Sequence, residues 1–202
     1  MRTSSPSRAG RAVAAVAGAT AGALLVAEPV AAHTGLTASG AVDGALHPLL
    51  GLDHLLAMVA VGVLAATVSN RRIAWLTPLG FVGGMLVGGT LGLAGFEAPL
   101  VELVIAASVI ALGLLIMSAT DQRGLWLPML AAAFGAAHGH AHGAELPDGA
   151  LPLAYLIGFV AATAALHLLG TALGAGLRRV PAVRIAAGAL VATAGVSLLF
   201  TA

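Results

Sequence analysis

The chain has 202 residues, of which 59% are hydrophobic and only 8% charged, with 27 glycines, no cysteine and a formal net charge of +1. No soluble core hides so much apolar surface, so the composition is that of an integral membrane protein, and the near-neutral charge argues against a nucleic-acid partner. Without cysteine there are no disulfides, thiolate sites or catalytic thiols, and any metal must be held by nitrogen and oxygen.

Residues 1–32 read as a signal peptide: Arg2, Arg8 and Arg11 precede an alanine-rich apolar run that closes on Pro29-Val30-Ala31-Ala32. Cleavage before His33 would leave a free amine and an imidazole able to chelate a metal together; an uncleaved signal anchor places the following chain on the same, outer side. The remainder, residues 33–202, reads as one all-α transmembrane domain. Six spans are expected near 46–68, 73–95, 98–118, 124–145, 150–177 and 182–201, each close to the ~20 residues that cross a bilayer. Arg71 and Arg72 follow the first span, Arg123 the third, and Arg178, Arg179 and Arg184 the fifth. With the N-terminus outside, all six arginines face the cytoplasm, while Asp43, Glu97, Glu145 and Asp148 mark the outer face.

The first span opens His47-Pro48-Leu49-Leu50-Gly51-Leu52-Asp53-His54, and Pro48 suits a first helical turn. His47 and His54 share a helix face but stand about 10 Å apart on an ideal helix, too far to bind one ion directly, so they need either a bent entry or two successive sites. Asp53 falls inside the hydrocarbon, where a carboxylate is costly and a functional candidate by default. In the second span Gly80, Gly84, Gly88 and Gly92 form a ridge of small residues that admits another helix closely, a device repeated by Gly170 and Gly174. Glu102, one turn into the third span, reads as a headgroup-level carboxylate, and Met58, Met85 and Met117 as packing residues.

The fourth span ends in Phe134-Gly-Ala-Ala-His138-Gly-His140-Ala-His142-Gly-Ala-Glu145. Its apolar part, 125–137, covers roughly 20 Å of helix, too little for about 30 Å of hydrocarbon. The crossing is complete only if the histidines form its outer third; the alternative, a solvated periplasmic loop, leaves the span too short. On a helix His138, His142 and Glu145 project from one face as a chelating claw, while His140 points away unless Gly139 and Gly143 unwind the turn. His167 in the fifth span lies near mid-membrane and is read equally as a packing histidine or a relay ligand.

The blocks HPLLGLDHLLAMVAVG (47–62) and FGAAHGHAHGAELP (134–147), behind a signal peptide and within six spans, resemble the HupE/UreJ family of hydrogenase and urease accessory proteins. The likeness runs through His47, Pro48, Gly51, Asp53, His54 and Met58 in the first block. In the second it runs through His138, His142, Gly143 and Glu145, with LHLLG at 166–170 similar to the histidine of the family's fifth span. His140 is an additional imidazole that departs from that pattern. A looser similarity to the nickel/cobalt transporter family rests on a His-x4-Asp-His signature, where this chain has a gap of five. The resemblance implies a secondary permease for nickel or cobalt in a bacterial inner membrane, with no organic cofactor and no enzymatic activity. Its partners would be the lipid bilayer, the divalent ion itself, and a nickel-enzyme maturation system reached directly or through a metallochaperone.

On this reading His138, His142 and Glu145 capture the ion with His47 and pass it to Asp53 and His54. There is no nucleotide-binding motif, so a gradient or the membrane potential must drive the step. Two alternatives compete: a membrane sensor or metallochaperone that binds metal without passing it, and a haem protein with histidines facing across helices. A di-iron hydroxylase ranks lower, because it needs more histidines and carboxylates than the chain offers.

Overall fold

The computed structural model describes residues 40–118, 124–146 and 151–200, and every described regular element is an α-helix. The signal segment, His33, Arg123 and Asp148 lie outside the described residues. Seven helices follow one another: α1 (Ala41–Leu50), α2 (Leu52–Thr67), α3 (Arg71–Leu93), α4 (Val101–Ser118), α5 (Trp126–Ala144), α6 (Pro152–Leu177) and α7 (Pro181–Leu198).

The expected first span is not one helix. It is α1 and α2, bent 86° from each other at Gly51, whose extended backbone separates them. Pro48, expected in a first turn, stands instead near the end of α1, where its ring cannot continue the hydrogen-bond ladder. α2 then restarts with the Leu55 N–H donating to the Gly51 carbonyl at 2.9 Å. The other elements fall within three residues of the expected spans.

By length and composition α3, α4, α6 and α7 can each cross a membrane, and the bent pair makes a fifth crossing if its two helices serve as one. α5 is not among them, because its histidines and glycines dilute its apolar content.

Glycine contacts set the bundle. A Cβ on Gly84 or Gly88 would fall on the carbonyl oxygen of Ala132 or Ala136, and Gly80 and Gly92 face those of Pro128 and His140. In return Gly135, Gly139 and Gly143 of α5 face the carbonyls of Phe81, Met85 and Gly89. The ridge foreseen in the sequence is thus the seat of α5, where backbones meet closely enough for Cα–H groups to face carbonyls across the interface. α2 and α6 meet the same way, Gly62 against the His167 carbonyl and Gly170 against that of Val59, as do α4 and α7 through Gly113 and Gly188. The order of these contacts makes α3 and α5 parallel, α2 and α6 parallel, and α4 and α7 antiparallel.

α2 is the hub, touching α1, α3, α4, α6 and α7. Its sequence is apolar on every side, as a helix surrounded by others requires. Ala57, Met58, Val61 and Leu64 form the core with Phe81, Val109, Leu112, Ile116 and Leu127. Buried hydroxyls are satisfied within their own helices, Thr77 donating to the Ile73 carbonyl at 2.8 Å and Thr163 to that of Phe159 at 2.9 Å. The described arginines gather at one end. Arg178 donates to the Ala66 carbonyl at the close of α2, and Arg184 to that of Ile116 at the close of α4.

Candidate metal centre

The break at Gly51 has a chemical result. Turning α1 across the top of α2 brings the His47 and His54 ring centroids to 6.4 Å, where a straight helix would hold them apart. α5, drawn in by the glycine ladder, then inserts His138 and His142 beside them. His142 stands 4.5 Å from His47 and 4.2 Å from His54, and His54 stands 4.7 Å from His138. Four imidazoles from three helices thus form one cluster with His54 at its centre. The sequence suggested capture by His138, His142, Glu145 and His47 and transfer to Asp53 and His54; the structure brings the four histidines of the two sets together.

Two neighbours orient the rings. Asp53 Oδ1 accepts both the His54 backbone N–H at 2.8 Å and the His54 Nδ1–H at 2.7 Å, while Asp53 keeps 20% of its side chain exposed. A carboxylate on one ring nitrogen fixes the tautomer and leaves the other, Nε2, unprotonated with a free lone pair. His138 is fully buried, and its Nε2 lies 3.1 Å from the Ser108 hydroxyl of α4. Four ring nitrogens of the cluster are buried without a hydrogen-bond partner: His54 Nε2, His138 Nδ1 and both nitrogens of His142. Buried polar atoms left unpaired cost about 1–3 kcal/mol each, so their concentration at one point calls for a ligand.

A divalent metal suits this arrangement. Metal–nitrogen bonds of about 2 Å put two imidazoles sharing an ion at centroid separations of roughly 4.5–5 Å, close to those seen. As the rings stand, no group of three or more His, Asp or Glu side chains among the described residues is arranged to hold a metal ion, so binding requires ring rotation toward a common point. His142 stands too close to His47 and His54, and His54 too close to His138, for a porphyrin plane to lie between those pairs.

The remaining candidates fall elsewhere. Glu145 caps the end of α5 with its side chain exposed, so the claw of His138, His142 and Glu145 is not assembled: the helix turns the two histidines inward and ends before the carboxylate can follow. α5 stays helical through Gly139 and Gly143, and His140 therefore leaves the cluster, its Nε2 donating to the Phe96 carbonyl at 2.7 Å. His167 on α6 is buried with Nε2 unpartnered, and the ring of Phe81 lies between it and the cluster, 5.5 Å from His138 and 5.5 Å from His167.

Tyr155 and Phe159 of α6 wall the other side, Phe159 4.4 Å from His142 and Tyr155 6.0 Å from His47. A cavity of about 270 Å³ between α3, α5 and α6 reaches His142, but its walls are almost wholly apolar and offer a hydrated ion little else. Sequence reasoning missed Ser108, Phe81, Tyr155 and Phe159. A lone serine or aromatic in an apolar span carries no spacing signal, and only the fold places these beside the histidines.

Compared with known proteins, residues 21–198 match the family model described as HupE / UreJ protein. The chain is 43% identical over 174 residues to Protein HupE of Rhizobium leguminosarum bv. viciae, covering 83% of this chain and 88% of that one. No solved structure matches it.

Proposed function

The chain belongs to the HupE/UreJ family, and from that membership we propose that it is a secondary permease carrying nickel or cobalt inward across a bacterial inner membrane, for hydrogenase or urease maturation. The observation that carries this reading is the cluster of His47, His54, His138 and His142, with four buried ring nitrogens lacking partners. Neutral imidazole suits Ni²⁺ and Co²⁺, and the nearby Asp53 carboxylate offsets ionic charge where hydrocarbon would otherwise oppose it.

The proposed path has six crossings, with α1 and α2 together as the first and α5 as the fourth. The parallel and antiparallel pairings are those an alternating path produces, and α5 lies along α3, which is itself long and apolar enough to cross. The ion enters at the outer end through His47, is held by His54, His138 and His142, and passes Phe81 toward His167. Glu145, exposed at the mouth, attracts the ion without holding it. The membrane potential contributes about 4.6 kcal/mol for a double charge at 100 mV, enough to drive inward movement without nucleotide hydrolysis.

Radioactive nickel uptake into cells expressing the protein tests this, beside His54→Ala and His138→Ala variants and with excess Co²⁺, Zn²⁺ or Cu²⁺ as competitors. Uptake abolished by both substitutions and suppressed by one competitor is the expected result. Metal binding by the purified protein with no accumulation above empty cells would replace the permease with a sensor or metallochaperone.

A further inference from the structure

Ser108 is fully buried, lies on a different helix from every described histidine, and belongs to no histidine motif. Its hydroxyl oxygen is 2.7 Å from the Ile105 carbonyl and 3.1 Å from His138 Nε2. Two oxygens approach to 2.7 Å only with a proton between them. The carbonyl has none, so the single hydroxyl proton of Ser108 is committed to Ile105. Ser108 therefore offers His138 a lone pair, and Nε2 must carry the ring proton and donate it. A neutral imidazole protonated at Nε2 is bare at Nδ1, the buried nitrogen of His138 that lacks a partner.

We propose that Ser108 is a positioning residue that holds His138 as the Nε2–H tautomer, presenting Nδ1 as the nitrogen available to the ion. Ser108 does for His138 what Asp53 does for His54, one with a neutral acceptor and the other with a charged one. The pairing keeps a second negative charge out of the bundle while still fixing two ligating faces. The purpose of this arrangement rests on the permease reading; the tautomer does not.

The test uses full-length protein labelled with ¹⁵N-histidine, purified metal-free in detergent, with the His138 ring signals identified by their loss in His138→Gln. Long-range ¹⁵N–¹H correlations are expected to show Nε2 protonated and Nδ1 bare in wild type and Ser108→Thr, and a mixture of tautomers in Ser108→Ala. In nickel uptake, Ser108→Ala is expected to raise apparent KM by about 10- to 100-fold, the usual cost of losing a residue that orients a metal ligand, with Ser108→Thr restoring it. Wild-type His138 protonated at Nδ1 overturns the proposal, whatever the variants do. So does Ser108→Ala with the wild-type tautomer and KM. Absence of nickel uptake by wild type would instead sink the permease reading, and the spectra would still decide the role of Ser108.

Discussion

At the scale of single residues, the cluster sets function against stability. His142 is buried with both ring nitrogens unpartnered, wedged between His47, His54 and Phe159. Replacing it by an apolar side chain of similar size removes two unsatisfied atoms, each costing about 1–3 kcal/mol. His142→Leu is therefore expected to raise the thermal stability of the metal-free protein in detergent while lowering nickel uptake at least tenfold. Adding nickel should raise the melting temperature of wild type and leave His142→Leu unmoved, since a ligand stabilises only the form it binds. A variant that melts below wild type in metal-free buffer would show that His142 holds the fold together rather than waiting for an ion. At this scale the sequence was legible for residue type: histidines do gather, because few other roles justify so many in an apolar chain. It misled on Glu145, because helical spacing says nothing of where a helix ends; the side chain sits at the cap, exposed.

At the scale of helices, adjacent glycines of α3 do opposite things. Gly84 lies against the Ala132 carbonyl, whereas a Cβ on Gly83 would meet nothing within 4 Å. Gly83→Ala is expected to be neutral or to stabilise by up to about 1 kcal/mol through helix propensity. Gly84→Ala must push α5 away from α3, at a cost of roughly 1–3 kcal/mol by overpacking, and it carries His138 and His142 with it. Melting temperature and nickel uptake of the two variants check this together; equal behaviour would mean that the α3–α5 contact is not what seats the histidines. The four-residue period made this ridge readable from sequence, and α5 as its occupant was not, since nothing in glycine spacing names a partner. The break at Gly51 was half legible. The His47–His54 distance left a bent entry or two successive sites open, and a glycine after Leu50 in an apolar run does not say that the chain turns 86° there.

At the scale of the whole molecule, sidedness follows from charge and packing together. Arg178 and Arg184 reach the closing carbonyls of α2 and α4, joining Arg71, Arg72 and Arg179 at one end. Cations at helix C-termini oppose the negative end of the helix dipole, and an excess of arginine at one end is what the proposed orientation places in the cytoplasm. The opposite end carries Glu97 and Glu145, and there the His140 ring ties the last turns of α5 to the α3–α4 connection through Phe96. That bond fixes the height of the histidine cluster independently of composition: if α3 crosses, the glycine ladder makes α5 cross with it, about 28 Å of helix ending where α3 ends. The direction of crossing is open to measurement because the chain has no cysteine of its own. A membrane-impermeant maleimide added to intact spheroplasts is expected to label Glu97→Cys and to spare Arg179→Cys until the membrane is opened. The reverse pattern would invert the protein and put the imidazole cluster at the cytoplasmic mouth, where it would load metal for export. Equal labelling of both would mean that α4 through α6 do not separate the two positions across the bilayer.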